Sequence, residues 1–162
     1  MITISKKINF STNPKIKMIN KEIKEILKLK TPLTEEKISK LRAGDMVYLS
    51  GMVIGARDAA HKRMIKSIEE KTELPVDLKN EVIFYIGPSP IPQGKISGSI
   101  GPTTSARMDS MTEPLLKLGL KAMIGKGSRS ENLRYLLKKY KAVYFAAPGG
   151  IAAFLSTKVK EI

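Results

Sequence analysis

Cysteine and tryptophan are absent from this chain of 162 residues, and histidine occurs once. The lack of cysteine excludes disulfides, zinc–thiolate sites, a thiol nucleophile and a cysteine-held iron–sulfur cluster within the chain. No apolar run approaches the ~20 residues needed to span a bilayer. The opening Met1-Ile-Thr-Ile-Ser-Lys6 has no uncharged apolar core of the signal-peptide kind. A cytoplasmic protein with no membrane partner is therefore expected. Acidic residues are scarce as well: 15 Asp and Glu face 29 Lys and Arg, for a formal net charge of +14. Aromatics are only 6% of the chain, too few to interleave a basic surface with stacking platforms, and no zinc-finger or RNA-recognition pattern occurs. A basic nucleic-acid-binding module is the alternative of another class, but no nucleic-acid partner is expected.

The length supports one domain with a real core, and a hydrophobic content of 42% is ordinary for a globular chain. The basic excess is spread out: residues 1–42 hold eleven Lys/Arg and four Glu, half of the surplus. Such charge serves a polyanion, an anionic small molecule or an acidic partner, or simply solvates the surface. Residues 1–30 read as a basic N-terminal segment and residues 31–162 as the folded domain. Within the segment, Ile19, Ile23, Ile26 and Leu27 fit a helical face, whereas Leu27-Lys-Leu-Lys-Thr31 alternates like a strand. Both readings stay open.

From Pro32 onward the signals sharpen. Thr34 before Glu35 and Glu36 predicts a capped helix with Ile38 and Leu41 inward, ended by Gly44. Met46–Leu49 (extending toward Ile54), Val82–Ile86, Leu120–Ile124 and Ala142–Ala147 read as strands closed by glycine or proline–glycine turns. Helical patterns lie between them: one capped at Asp58 with Met64, Ile65 and Ile68 inward, one over Thr103–Met111, and a separate one from Pro114. A fourth is capped by Ser130 with Leu133, Leu136 and Leu137 inward, and a last one covers Ile151–Leu155. Strands alternating with helices predict an α/β layered fold with a largely parallel sheet.

Glycine-rich turns recur after these strands, and in such folds the carboxyl ends of the strands form the ligand crevice. Arg57 stands at a helix start, Thr103 and Thr104 at another with Arg107 one turn on, and Lys126 lies between two glycines. Arginines grip carboxylates through paired hydrogen bonds, helix starts favour anions, and lysine adds a point charge. Three cations suit a small substrate with two negative groups. Gly125-Lys-Gly-Ser128 is mis-spaced for a Walker loop, which disfavours a nucleotide. His61, one turn beyond Arg57, either transfers protons or bonds to the backbone.

Several blocks resemble the β subunit of class I fumarases and L-tartrate dehydratases. They are Leu41-Arg-Ala-Gly-Asp45, Arg57-Asp-Ala-Ala-His61-Lys-Arg63, Tyr85-Ile-Gly-Pro88, Gly98-Ser-Ile-Gly-Pro-Thr-Thr-Ser-Ala-Arg-Met-Asp109, Ile124-Gly-Lys-Gly127 and Pro148-Gly-Gly150. The resemblance runs in order from about residue 30 to the C-terminus. It implies a swivelling β/β/α domain and a hydro-lyase acting on a four-carbon dicarboxylate. The expected reaction is the hydration of fumarate to L-malate, with tartrate dehydration as the alternative. It also implies a four-iron four-sulfur cluster held by a cysteine-bearing α subunit, and a dimer of αβ pairs. Carried over by position, Arg57, Arg107 and Lys126 would bind substrate carboxylates, with Thr104 beside them. Thr103 would be the base at C3, and His61 would move protons or orient Arg57. Asp58 would cap its helix and fix Arg57, and Asp109 would steady Arg107. The family continues past the glycine pair with a further strand-bearing segment. A chain ending at Ile162 is therefore expected to lack part of the usual sheet or subunit contact.

Overall fold

The computed structural model describes residues 26–161. The helical reading of Ile19 and Ile23, and most of the basic N-terminal segment, lie outside the described residues. Leu27 to Lys30 settle as a strand, β1 (Leu27–Lys30), paired in parallel with β2 (Val47–Ser50) so that Leu29 stands opposite Leu49. Between them runs α1 (Glu35–Ser39). The Thr34 hydroxyl accepts from Lys37 N at 3.4 Å and Glu35 and Glu36 occupy the first turn, as the cap signal predicts.

The second sheet holds β3 (Ile54–Gly55), β4 (Val82–Phe84), β5 (Ala122–Gly125) and β6 (Val143–Ala146), in that spatial order and all parallel. The apolar run expected to continue from Met46 toward Ile54 is divided. Gly51, at φ +102, turns the chain out of the first sheet before β3 joins the second. Parallel neighbours need crossovers. These contain α2 (Asp58–Glu69), α3 (Asp109–Lys117) and α4 (Glu131–Lys139).

Period-two alternation sorts the side chains into layers. Ile83, Tyr85 and Met123 meet Met64, Leu115, Leu116, Leu133 and Leu136 of the three helices. Val82, Ala122, Ile124, Val143 and Phe145 face the other way, against Leu29, Leu33, Ile38 and Leu49. Small sheet, large sheet and helices thus stack as three layers, an α/β layered fold.

Two expectations about helices need correction. The expected helix over Thr103–Met111 leaves out Thr103–Ser105, and Pro114 does not start a new one. A 3₁₀ turn (Ala106–Met108) leads into α3, which carries Pro114 inside it. The proline removes one helical N–H. Burial of Thr112, Leu115 and Leu116, with the Thr112 hydroxyl donating to Met108 O at 2.7 Å, holds the helix together across that gap. A last short helix, α5 (Ala152–Ser156), follows the Pro148-Gly-Gly150 turn and receives Ile100 N on Ala152 O at 3.2 Å. Among the described residues no helix is long and apolar enough to cross a membrane.

Candidate active site

Because β3 to β6 run parallel, their carboxyl ends open on one edge of the sheet, and the glycine turns gather there. Arg57 follows β3 and occupies the N-cap position of α2. Asp58, expected as the cap, is instead the first residue of the helix, so its carboxylate is left to pair with neighbouring arginines. Gly87, just past β4, lets the Arg57 guanidinium lie against the backbone: a Cβ there would overlap it and push the side chain aside.

Arg107 comes from the 3₁₀ turn and clamps Asp58 with two parallel bonds. Its Nε donates to Oδ1 and its Nη2 to Oδ2, each at 3.0 Å. The Arg57 Nε lies 3.9 Å from the same Oδ2. Two guanidiniums therefore surround one carboxylate. Burial works against ionising Asp58, but its backbone N–H and the two arginines outweigh burial and hold its pKa below the usual value. The clamp consumes the Nε edge of Arg107 and leaves Nη1 and part of Nη2 for another acceptor.

Thr103 to Ser105 do not begin a helix, contrary to expectation. Thr103 and Thr104 lie extended beside the end of β5, and Ser105, at φ −87 and ψ −27, turns the chain into the 3₁₀ helix. Lys126 N donates to Thr103 O at 3.1 Å, Ser105 N donates to Lys126 O at 3.0 Å, and Thr104 bridges Lys126 in parallel. Thr103 also packs on β4: its N–H and its hydroxyl both donate to Tyr85 O, at 2.8 and 3.0 Å. The Lys126 stem runs past Gly149, where a Cβ would stand 3.6 Å from its Cδ. No ion pair engages the Lys126 ammonium among the described residues.

His61 is fully buried. Its Nδ1 carries a proton and donates to Arg57 O at 3.1 Å, and its ring meets the Tyr85 ring edge-on at 5.3 Å. Burial pushes its pKa below 6.5 despite the Arg57 carbonyl and the Asp58 charge, so the ring is neutral at pH 7. Nε2 has no protein partner. The imidazole presents no edge to solvent; its one polar contact is the carbonyl of the residue that carries the guanidinium.

Asp109 departs from expectation. Its carboxylate accepts from Arg129 Nε at 2.6 Å and from Ser130 N at 2.8 Å, and Arg107 is held by Asp58 instead. The Arg129 side chain is 2% exposed and stacks between Tyr85 and Tyr144, its Cζ 5.3 and 4.9 Å from the ring centroids. Arg129, Tyr85, Tyr144 and Ser105 were not singled out by the sequence reading. The available signal was Arg129 itself, a cation immediately before the Ser130 cap of a helix. Its burial depends on Tyr85, just past β4, and on Tyr144 of β6.

The carboxyl edge of the sheet thus carries Arg57 and Arg107 about the carboxylate of Asp58, and Lys126 beside Thr104. A groove of 970 Å³ runs along β6 between the two sheets, lined by Ile38, Val47, Leu49, Val143 and Phe145, with Arg129, Ala147 and Pro148 at its rim. Among the described residues no three His, Asp or Glu side chains group as metal ligands, and the chain has no cysteine. Its residues do not fit an iron–sulfur cluster as ligands.

The family model described as "Fumarase C-terminus" matches residues 3–162. A putative L(+)-tartrate dehydratase subunit beta of Methanocaldococcus jannaschii is 41% identical over 133 residues, covering 80% of this chain and 68% of that protein. The L(+)-tartrate dehydratase subunit beta of Escherichia coli strain K12 is 36% identical over 137 residues, covering 83% and 67%. Fumarate hydratase 2 of Leishmania major is 33% identical over 151 residues, 92% of this chain but 27% of that protein.

Proposed function

The chain belongs to the fumarase C-terminus family of hydro-lyases, and from that premise we propose that it is the β subunit of a two-subunit enzyme hydrating fumarate to L-malate. The observation that carries the reading is the pair of guanidiniums about Asp58, with Lys126 paired to the Thr103–Ser105 segment that leads into Arg107. Two separated cationic groups match a diacid, and the paired N–H donors of a guanidinium suit a carboxylate.

In this reading Arg57 and the open Nη1 end of Arg107 take one carboxylate, and Lys126 takes the other, with the Thr104 hydroxyl at hand. Asp58 holds Arg107 from the rear and keeps its free edge turned toward the cleft. His61 orients Arg57 through its carbonyl. Thr103 is the candidate acceptor of the C3 proton. Its own hydroxyl proton goes to Tyr85 O, so the role requires the hydroxyl to leave that acceptor and the nearby cations to stabilise its ionised form. A four-iron four-sulfur cluster, in this proposal, belongs to a cysteine-bearing α subunit, as the name "subunit beta" in the relatives suggests, with two αβ pairs forming the enzyme.

The same relatives favour a second reading, L-tartrate dehydration, since two of them carry that name. Both diacids would use the same cations. Purified anaerobically with its cysteine-bearing partner, the chain should interconvert fumarate and malate, and neither subunit alone should do so. Arg107→Ala should lower kcat by about 10²–10³, the usual cost of losing one charge-stabilising donor. Turnover of tartrate alone would select the second reading, and an unaffected Arg107→Ala enzyme would overturn the site.

A further inference from the structure

Lys126 has no ion pair among the described residues, and the course of its backbone sets where its side chain starts. On one side that backbone is tied to the Thr103–Ser105 segment by the two bonds already described. On the other side stands Gly127, at φ +84, with open space around its Cα, followed by exposed Ser128. A left-handed glycine in open space is a natural swivel.

One contact restrains it. The Tyr144 hydroxyl donates to Gly127 O at 3.0 Å. A phenol has a single proton. In the second contact of that hydroxyl, to Ser105 Oγ at 3.0 Å, the serine must therefore be the donor. Ser105, Tyr144 and the Gly127 carbonyl form a directed chain that crosses beneath Lys126 and joins its two flanks. The Tyr144 ring is fixed in turn by the Arg129 guanidinium, which Asp109 neutralises.

We propose that Tyr144 is a positioning residue for Lys126: its hydroxyl anchors Gly127 and so fixes the direction in which the lysine enters the cleft, while Arg129 holds the Tyr144 ring in place. The proposal rests on the diacid reading above for its catalytic consequence, and on contacts of this chain alone for the anchoring. Tyr144→Phe removes the hydroxyl and keeps the ring on Arg129.

In the two-subunit enzyme, Tyr144→Phe should lower kcat/KM for the diacid about tenfold, about what one hydrogen bond is worth, chiefly through KM. Lys126→Ala should lower it further, and the double variant should be no worse than Lys126→Ala alone, because Tyr144 acts only through the lysine. Effects that multiply in the double variant, or an unchanged KM in Tyr144→Phe, overturn the proposal. Amide hydrogen exchange on the full chain tests the anchor without turnover. The amides of Lys126 and Ser105, which close the pairing beside Gly127, should exchange about tenfold faster in Tyr144→Phe while the amides of α4 stay unchanged. Unchanged exchange at Lys126 and Ser105 overturns the anchor. Absence of diacid turnover in the unmodified enzyme, with the exchange as expected, would sink the functional reading and leave the anchor standing.

Discussion

Arg107 has more donors than Asp58 can use, and the proposed site draws on that surplus. One edge of the guanidinium is committed to a fixed carboxylate, so the remaining edge is oriented before any ligand arrives. Preorganisation of this kind lowers the ordering cost of binding. His61 shows the complementary strategy, a titratable group kept neutral by burial. As pH falls through 6.5 the unfolded chain takes up a proton that the folded ring accepts only at lower pH, so acid shifts the balance toward unfolding. The urea midpoint should therefore decline from pH 7 toward about 5.5, above the range where most carboxylates titrate. His61→Asn keeps a donor for the Arg57 carbonyl and removes the titration, so it should flatten this slope. Equal slopes in both proteins would show that His61 contributes no such linkage. The sequence placed His61 on the face of Arg57 correctly, but spacing along one helix says nothing of the Tyr85 ring that closes over it.

At the scale of elements, caps and periodicities were legible because they are local. Ser130 begins α4 as expected, its hydroxyl accepting from Leu133 N at 3.2 Å. Ser130→Ala should cost about 1 kcal/mol in urea denaturation, and Ser130→Gly only a few tenths. A loss near zero for Ser130→Ala would mean that the Asp109 carboxylate on Ser130 N caps the helix unaided. Pro114 and the Thr103 segment misled for a shared reason. A proline reads as a helix start only if tertiary packing does not carry the helix across it, and Leu115 and Leu116 are buried deeply enough to do so. Thr103 to Ser105 carry no strand pattern of their own. Thr103 and Thr104 extend because Tyr85 and Lys126, distant in sequence, supply the backbone partners.

Over the whole molecule, charge and layering act together. The net charge of +14 is not cancelled by surface ion pairs such as Lys40–Glu36 and Lys66–Glu70, whose side chains are largely exposed. Pairs of that kind contribute little, while self-repulsion of the excess destabilises the compact state. Raising salt to about 0.2 M shortens the screening length below ~10 Å, so the melting temperature should rise by a few degrees relative to low salt. A fall would show that attractive pairs dominate instead. The amino-acid sequence by itself determined the alternation of strand and helix, the apolar faces, the glycine turns and the cationic residues beside them, because each is written in spacing over a few residues. Tertiary structure alone decided which partner each charge received: Asp58 for Arg107, Asp109 for Arg129, and the Gly127 carbonyl for Tyr144. Those pairings depend on how parallel strands bring their carboxyl ends to a common edge, and on crossovers that fold residues 17 to 49 positions apart into contact.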